Sequence, residues 1–477
     1  MSKFYITTAI PYVNARPHIG HALEFVQADT IARFHRLKGE KTLLLSGGDE
    51  NALKNVQAAE AEGAPVQEFI DRNSKLFEEL AKKLNVQFDV FQKGSNNDHH
   101  KSSQKLWELC FKNGDIYKKT YEGLYCVGCE TFYETSELNE NGECFEHPGK
   151  KLDKVSEENY FFKLSKYEKQ ILELLEKGGL KIIPETRKNE AVAFVKQGLK
   201  DISISRSNAR AKNWGVSVPG DPSQKIYVWF DALNIYQSGL GFGTDEENYK
   251  KWWPADVHVI GKGILRFHAV YWPAFLLSAD LPLPKSIFVH GYLTVNGQKM
   301  SKTLGNVVDP ISLIERYGAD ALRFYLLREI PTTSDGDFSE DRFREVYNSD
   351  LANGLGNLVS RVAKLCETEG FSLKETGRQI IDTQGFDEAF YEFRLIDAVA
   401  LVWEKISSLD RYIESERPWD LIKKKDQRIK AVLEHLIDGL LEIAIFLKPF
   451  LPETAELIEK QFTKELIKLE SPLFPRI

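Results

Sequence analysis

The first fifty residues of the chain carry the patterns of a strand, a helix and a second strand. Residues 4–8 form an apolar run that ends in threonines, and residues 41–46 form another. Between them, residues 19–37 repeat apolar side chains at helical spacing before Gly39. A strand–helix–strand unit of this length favours parallel strands. The N-terminal part of the chain is therefore expected to form a parallel α/β sheet.

Three later apolar runs are expected to extend the same sheet. They lie at residues 225–231, 257–260 and 287–290. Ligands of open parallel sheets bind beyond the carboxyl ends of the strands. The residues at or just beyond the ends of predicted strands are His18, Asp49, Asp231, Gly261 and His290. We expect these residues to converge on one crevice.

The chain has 477 residues, which is too long for one ordinary core. Its composition and its pattern of apolar residues change at two places. Residues 115–213 are rich in lysine, glutamate and turn residues, and they contain three of the five cysteines. This segment resembles an insertion into the α/β domain. After Asp309-Pro310 the chain is helical, with apolar stripes over 395–413 and 429–443. The chain is therefore predicted to be a split α/β domain followed by an α-helical bundle.

Composition narrows the classes of partner. The sequence contains neither an uninterrupted transmembrane run nor a signal-peptide pattern, so no membrane partner is expected. Five cysteines are too few for a disulfide scaffold, which favours a reducing, cytoplasmic location. With a net charge of −7, any contact with nucleic acid requires local basic patches. The segment 423–430 is one such patch, and a solvated helix face is the alternative interpretation.

The segment Pro17-His18-Ile19-Gly20-His21 stands at the predicted start of the first helix. Backbone N–H groups and the helix dipole favour an anion there. His18 and His21 are one helical turn apart, and Gly20 permits close approach of a nucleotide. Imidazole donors at this place suit the charge that develops on a phosphoryl group under attack. A pair of surface histidines is the alternative.

The segment Lys299-Met300-Ser301-Lys302-Thr303 follows the last predicted strand and a Val295-Asn296-Gly297 turn. Two lysines on a glycine-flanked loop suit a pyrophosphate leaving group. A solvated basic loop is the alternative. Together with the histidine segment, this loop predicts one nucleotide site assembled from two halves of a split domain.

Joined, the two segments resemble the signature pair of class I aminoacyl-tRNA synthetases. Longer stretches resemble the methionyl-tRNA synthetases in particular, and they are Thr8-Ala9-Ile10-Pro11-Tyr12-Val13-Asn14, Val228-Trp229-Phe230-Asp231-Ala232, Ile260-Gly261-Lys262-Gly263 and His290-Gly291-Tyr292-Leu293. The resemblance extends from about residue 4 to 450. It implies ATP-dependent activation of L-methionine to methionyl-adenylate, with Mg²⁺ accompanying ATP, and transfer to the 3′ end of tRNA(Met).

The resemblance also implies a domain order. A Rossmann-type catalytic domain at 1–114 and 214–325 would be split by a zinc-bearing insertion at 115–213. A stem-contact linker at 326–342 would precede an α-helical anticodon-binding domain at 343–477. The chain stops without the appended domain that dimerises some members, so a monomer is expected.

The resemblance to the methionyl-tRNA synthetases also implies which residues of this sequence form the site. The catalytic residues would be His18, His21, Lys299 and Lys302. The ATP-binding residues would be these four with Gly20, Gly261 and Ser301. The methionine-binding residues would be Ile10, Tyr12, Asp49, Trp229, Ala232, Leu233, Tyr236, Ile264 and His268, with Asp49 on the ammonium group. A thioether suits apolar and aromatic walls. Core packing is the alternative for any one aromatic residue.

The insertion contains a C-x2-C pair, Cys126 and Cys129, and a C-x2-H pair, Cys144 and His147. This spacing is typical of a closed, tetrahedral structural zinc site. Two accidental pairs are the alternative. Cys110 and Cys366 are left over and are expected in cores.

In the helical domain, Asn357, Arg361 and Trp419 match the positions that bind the CAU anticodon in the family. Stacking on tryptophan and hydrogen bonds to base edges are how unpaired RNA bases are recognised. Two departures concern the site: Thr303 replaces the usual serine, and Asn51 stands where histidine is common.

Three rivals remain. Another class I synthetase, of cysteinyl or leucyl type, is the nearest. A small-molecule adenylyltransferase shares the histidine motif, and an inactive RNA-binding protein belongs to a different class. Intact His18, His21, Lys299 and Lys302 argue against the last.

Overall fold

The computed structural model describes residues 2–126, 131–133, 135–145, 149–300, 305–372 and 383–477. Contacts divide the chain into two compact units. The first unit comprises Met1–Pro17, Lys41–Ala81 and Gln87–His290. The second comprises His18–Glu40, Lys82–Val86 and Gly291–Ile477. The first helix therefore belongs to a different unit from the two strands that flank it in sequence.

The strands are β1 (Lys3–Thr7), β2 (Lys41–Gly48), β3 (Val90–Lys93), β4 (Ile116–Cys126), β5 (Thr131–Tyr133), β6 (Asp153–Phe162), β7 (Lys181–Ile183), β8 (Ile202–Ser203), β9 (Ser205–Ser207), β10 (Ser217–Val218), β11 (Asp221–Ile226), β12 (Val257–Gly261), β13 (Ser286–His290), β14 (Leu293–Val295), β15 (Gln298–Lys299) and β16 (Gly336–Phe338).

The α-helices are α1 (Ile19–Leu37), α2 (Leu53–Glu62), α3 (Val66–Lys83), α4 (Asn97–Lys112), α5 (Glu168–Glu176), α6 (Glu185–Lys196), α7 (Val228–Leu233), α8 (Ile235–Ser238), α9 (Glu246–Trp252), α10 (Trp272–Ser278), α11 (Pro310–Tyr317), α12 (Ala319–Arg328), α13 (Glu340–Val346), α14 (Asn357–Glu369), α15 (Gln384–Tyr391), α16 (Leu395–Glu416), α17 (Pro418–Lys424), α18 (Ile429–Leu447) and α19 (Pro452–Phe462). Shorter 3-10 or π segments lie at Thr135–Glu137, Leu164–Tyr167, Lys262–Ile264, Phe267–Tyr271 and Tyr347–Gly356.

The first unit is built on a parallel sheet with the strand order β3-β2-β1-β12-β13-β7. Its central strands are mainly apolar and are fully buried at Ile6, Val259 and Val289, as expected for a parallel sheet with both faces covered. This confirms the predicted α/β class. The strand order reverses between β1 and β12, and such a reversal is where ligands bind in open α/β sheets.

One predicted strand is wrong. Strand β11 ends at Ile226, and helix α7 begins at Val228, so residues 228–231 of the predicted strand are helical. Asp231 therefore lies within a helix and does not follow a strand end. A short apolar run without alternation suits a buried helix as well as a buried strand, and sequence alone does not separate the two.

The segment 115–213 forms antiparallel structure and also reaches the central sheet. Strands β5-β4-β6-β8 form one antiparallel sheet. Strand β7 from the same segment pairs in parallel with β13 at the edge of the central sheet. The sequence analysis did not predict this edge strand, because it is only three residues long.

The second unit is mainly helical. The buried residues of α16 are those of the predicted stripe, from Leu395 to Ile413, and the α18 stripe is buried as well. This confirms the predicted helical C-terminal region. Among the helices that the structure describes, none is both long and apolar enough to span a membrane.

A buried ion pair ties α1 into the second unit. Arg323 on α12 lies 2.7 Å from Asp29 on α1, and neither side chain is exposed. Arg323 also donates to the carbonyl oxygens of Leu84, Pro449 and Phe450. Burial lowers the pKa of Arg323. Such a pair is tolerated only when hydrogen bonds replace the lost water, and here backbone carbonyls do so.

Candidate active site

The two histidines of the first signature segment stand at the N-terminus of α1. His18 is the N-cap residue, and its Nδ1 accepts the N–H of Gly20 at 3.1 Å. The Nδ1 of His21 accepts the N–H of His18 at 3.1 Å. The ring centroids are 4.0 Å apart. Because each Nδ1 accepts a hydrogen bond, a neutral ring carries its proton on Nε2.

This geometry determines which nitrogen of each neutral histidine ring carries the proton. Burial lowers the pKa of His18 to about 4, so its ring is neutral at pH 7. A neutral ring with Nδ1 occupied presents an Nε2–H group as a donor. A Cβ on Gly20 would lie 2.9 Å from Cε1 of His18, so only glycine leaves room for the ring. The start of α1 thus offers imidazole N–H donors beside the positive end of a helix dipole, which favours an anion.

Part of the lysine loop lies against the histidine segment within the second unit. Lys299 is exposed in β15, where it pairs with Thr294 of β14. The methyl carbon of Met300 lies 3.8 Å from the position that a Cβ of Gly20 would occupy. The N–H of Ile19 donates to the carbonyl of Val308 at 3.2 Å. Ser301, Lys302 and Thr303 lie outside the described residues.

In the first unit, the chain after β1 runs beside the end of β2. Tyr12 and Asp49 form a parallel β-bridge, and the N–H of Asp49 donates to the Pro11 carbonyl at 2.9 Å. Asn55 donates to the Asp49 carbonyl at 2.8 Å. Asp49 is 4% exposed. The backbone therefore fixes Asp49 next to Tyr12.

An aromatic wall continues from Tyr12. The ring of Trp229 on α7 contacts the ring of Tyr12 edge-on, with 6.4 Å between the ring centroids, and it stacks on the ring of Phe267, with 3.7 Å between the centroids. Ile10, Tyr12, Trp229 and Ile264 are partly buried against the main core, and Ala232 and Leu233 are buried beside them. Phe267 was missed by the sequence analysis, although its position next to His268 was a signal.

Tyr236 and His268 bond to each other. Tyr236 Oη and His268 Nε2 are 2.8 Å apart, and His268 Nδ1 is 3.0 Å from the Ile264 carbonyl. The carbonyl can only accept, so Nδ1 carries the proton of the neutral ring and the Tyr236 hydroxyl donates to Nε2. Burial lowers the pKa of His268 to about 4. The pair therefore presents an uncharged, preorganised polar edge in an apolar site.

Neutral buried histidines predict a loss of stability in mild acid. In the unfolded chain a histidine titrates near pH 6.5, so between about pH 6.5 and 4 only the unfolded chain binds the proton. The free energy of unfolding should therefore decrease as the pH is lowered, and His268 should account for about 2 kcal/mol of this decrease between pH 7.5 and pH 5. Denaturant unfolding at pH 7.5 and pH 5 measures this fall. In His268→Gln the fall should be smaller by that amount, and an equal fall in both proteins would contradict the assignment.

Two other predicted site residues lie at strand ends. Gly261 is the last residue of β12 and pairs in register with His290 of β13. Asp231, by contrast, is 1% exposed and accepts hydrogen bonds from Asn51, His99 and Ser103. The sequence analysis missed these three partners. Asn51 carried a signal, since it was noted as a departure from the family pattern.

The structure describes half of the predicted zinc site. Cys126 ends β4, and its Sγ lies 3.2 Å from Sγ of Cys144. Both side chains are buried, and neither thiol is in a disulfide. Cys129 and His147 lie outside the described residues, and within the described residues no cluster of three metal-ligating side chains occurs. The left-over Cys110 and Cys366 are fully buried, as expected.

The predicted anticodon residues lie in the second unit. Asn357 is exposed at the start of α14, and Arg361, one turn later, contacts Asp410 at 3.2 Å and Glu414 at 2.6 Å. Trp419 is the second residue of α17 and is 39% exposed, so it is not a core residue. The neighbouring basic patch at 423–425 is exposed as well.

Comparisons with known proteins extend over nearly the whole chain. The family model described as tRNA synthetases class I (M) matches residues 4–363. The methionine–tRNA ligase of Brucella suis biovar 1 is 42% identical over 468 residues, covering 95% of this chain and 90% of that protein. The methionine–tRNA ligase of Thermotoga maritima is 41% identical, covering 97% of this chain and 76% of that protein.

A solved structure is similar over the full length of both chains. Mycobacterium tuberculosis methionyl-tRNA synthetase in complex with methionyl-adenylate is 37% identical to this chain. Its TM-score is 0.92, with 100% of both chains covered. The similarity therefore includes both compact units.

Proposed function

Since this chain belongs to the class I family of methionine–tRNA ligases, we infer that its histidine segment and its aromatic pocket serve one reaction, the ATP-dependent attachment of methionine to tRNA. In the first step a carboxylate oxygen of methionine attacks the α-phosphate of ATP. A new P–O bond forms, the bond to pyrophosphate breaks, and methionyl-adenylate results. In the second step a terminal ribose hydroxyl of the tRNA attacks the methionyl carbonyl, and AMP leaves.

The observation that carries the proposed roles is the pair of imidazoles at the start of α1. Both Nδ1 atoms accept backbone hydrogen bonds, so the neutral rings carry their protons on Nε2, and these N–H groups are proposed to donate to phosphate oxygens. Such preorganised donors stabilise the charge that develops as pyrophosphate leaves. Lys299 and Lys302 are proposed to neutralise the pyrophosphate, and Ser301, Gly20 and Gly261 to contact the nucleotide. ATP enters as its magnesium complex.

Methionine is proposed to bind in the first unit. The buried Asp49 carboxylate supplies the counter-charge for the ammonium group. Tyr12 and Trp229 supply an aromatic wall for the side chain, supported by their edge-on contact. Ile10, Ala232, Leu233 and Ile264 complete the apolar surface, and the hydrogen-bonded pair of Tyr236 and His268 is proposed to lie near the thioether.

Amino-acid-dependent ATP–pyrophosphate exchange tests the assignment. We expect exchange with methionine and not with leucine, isoleucine, valine or cysteine, followed by charging of tRNA(Met). Exchange with leucine or cysteine alone would identify another class I specificity. Exchange without any charging of tRNA would favour a small-molecule adenylyltransferase, and absence of exchange would favour an RNA-binding protein.

We propose that the insertion holds one structural zinc ion through Cys126, Cys129, Cys144 and His147. The support is that two buried thiols converge without forming a disulfide. Thiolates and imidazole are the donors that zinc prefers in closed tetrahedral sites. When bound, the ion would cross-link the insertion and supply no chemistry to the reaction.

Zinc content gives a direct prediction. The purified protein should contain one zinc ion per chain, and Cys126→Ser should lower the content to less than about a fifth of that, because a thiolate ligand is lost. Metal analysis after gel filtration measures this. Cys110→Ser removes another buried thiol and should keep the zinc. Full occupancy in Cys126→Ser would overturn the ligand set.

On the tRNA side, Asn357, Arg361 and Trp419 are proposed to bind the CAU anticodon. Support comes from the exposed Trp419 ring and the exposed basic patch at 423–425.

We also propose the five-segment domain order, with the insertion at 115–213 and the anticodon-binding domain at 343–477. The protein is also predicted to be a monomer, which light scattering tests, and to be cytoplasmic, which cell fractionation tests.

A further inference from the structure

A buried hydrogen-bond network connects two parts of the proposed methionine pocket. Its centre is Asp231, on helix α7, with 1% of its surface exposed. Its Oδ2 accepts from Asn51 Nδ2 at 2.7 Å. Its Oδ1 accepts from His99 Nε2 at 2.9 Å and from Ser103 Oγ at 2.6 Å. Three donors to one buried carboxylate satisfy most of its acceptor capacity.

Two members of the network, Asn51 and Asp231, are close in sequence to pocket residues. Asn51 follows Asp49 by two positions, and the backbone of Asp49 bonds to Pro11 and Asn55. Asp231 lies between Trp229 and Ala232 on the six-residue helix α7. The bond between Asn51 and Asp231 therefore joins the loop that carries the ammonium-binding carboxylate to the helix that carries the side-chain wall.

The network is also fixed from outside the pocket. Asn51 Nδ2 donates a second bond, to the carbonyl of Gly94, at 2.8 Å. His99 on α4 bonds through Nδ1 to Ser238 of α8 at 2.7 Å. Burial by itself would raise the pKa of Asp231, but the interactions with His99 and Ser103 hold it below its ordinary value. Asp231 is therefore a carboxylate at neutral pH, and two of its three donors come from helix α4.

We propose that Asn51 and Asp231, braced by His99, are positioning residues that set the distance between Asp49 and the wall formed by Trp229, Ala232 and Leu233. The proposal rests on the proposed function, because it takes Asp49 and the α7 residues as the methionine pocket. Neither Asn51 nor Asp231 contacts the substrate in this scheme. They act by holding two surfaces at the separation that fits the ammonium group and the side chain of one methionine.

The test is the methionine dependence of ATP–pyrophosphate exchange in matched variants. Asn51→Ala should raise the KM for methionine about tenfold, as expected for loss of one hydrogen bond to a charged group, and leave kcat and the KM for ATP within about twofold. Gln224→Ala removes a buried side chain of the same unit that bonds to Glu158 and Ser205, outside this network. It should leave all three parameters within about twofold.

Two further variants complete the design. Asn51→His keeps an N–H donor and should hold the KM for methionine within about threefold of the native value. Asn51→Asp keeps the size of the side chain but places a second carboxylate against Asp231, and should raise that KM about thirtyfold. An unchanged KM for methionine in Asn51→Ala or Asn51→Asp, whichever is soluble, overturns the proposal.

A role in stability alone has a different outcome. Asn51→Ala and Gln224→Ala would then both lower the melting temperature, with no selective rise in the KM for methionine in Asn51→Ala, and the proposal would fail. Failure of the proposed function is separable, because the native protein would then show no methionine-dependent exchange. That measurement precedes the comparison of variants.

Discussion

His21→Ala is expected to lower kcat for methionine-dependent ATP–pyrophosphate exchange by about a thousandfold, the upper end of the effect of removing one preorganised donor from a charged transition state. In the structure the His21 ring accepts the N–H of His18 and lies 4.0 Å from the His18 ring. The substitution therefore removes an Nε2–H donor and also leaves the His18 N–H without its side-chain acceptor. Because methionine is bound elsewhere in this scheme, its affinity should stay within about threefold.

Control variants separate chemistry from folding. His35→Ala removes a buried histidine from the other end of the same helix, where His35 bonds to Glu40. It should affect stability and leave exchange nearly unchanged. His21→Gln keeps an N–H donor and should recover part of the lost rate. If His35→Ala and His21→Ala reduce kcat equally, the loss reflects the helix and not the imidazole donor.

Asp49→Asn should raise the KM for methionine about a hundredfold, because removing one partner of a buried charge pair costs about 3 kcal/mol. Both backbone hydrogen bonds at Asp49 use main-chain atoms, and they persist in the variant. The substitution therefore changes charge and little else. Equilibrium binding of methionine, followed by calorimetry, should show the same loss as the KM.

The matched control is Asp71→Asn. Asp71 is a half-exposed carboxylate of the same unit, paired with Lys93 on the surface. Its neutralisation should leave the KM for methionine within about twofold, because solvent screens that pair. A KM for methionine that is unchanged in Asp49→Asn would assign the ammonium group to another acceptor.

Local patterns were enough to predict much of the fold. Strands β1, β2, β12 and β13 and helix α1 lie where apolar runs and helical periodicity placed them. The stripe of α16 over 395–413 was predicted, because long amphipathic helices repeat the same signal several times. The Pro310 start of α11, with Asp309 as its cap, follows from local chemistry as well.

Long-range partners could not be predicted in this way. Asp231 was expected to face the crevice, but His99 and Ser103 bind it in the interior. Nothing in its sequence neighbourhood distinguishes a carboxylate that meets a substrate from one that meets a histidine more than a hundred positions away. The pairing of Arg323 with Asp29 was missed for the same reason.

The pairing of Asp29 with Arg323 has a consequence for the order of events during synthesis on the ribosome. Helix α1 leaves the ribosome among the first elements, yet Asp29 is neutralised by Arg323, whose guanidinium also donates to the carbonyls of Pro449 and Phe450. All segments of the first unit have been made by residue 290. Helix α1 therefore lacks part of its native packing while some 160 further residues are added to the nascent chain. Contacts between segments this far apart in sequence are of the kind that slows folding. The proposed methionine pocket can thus form before the helix that carries His18 and His21 is fully packed.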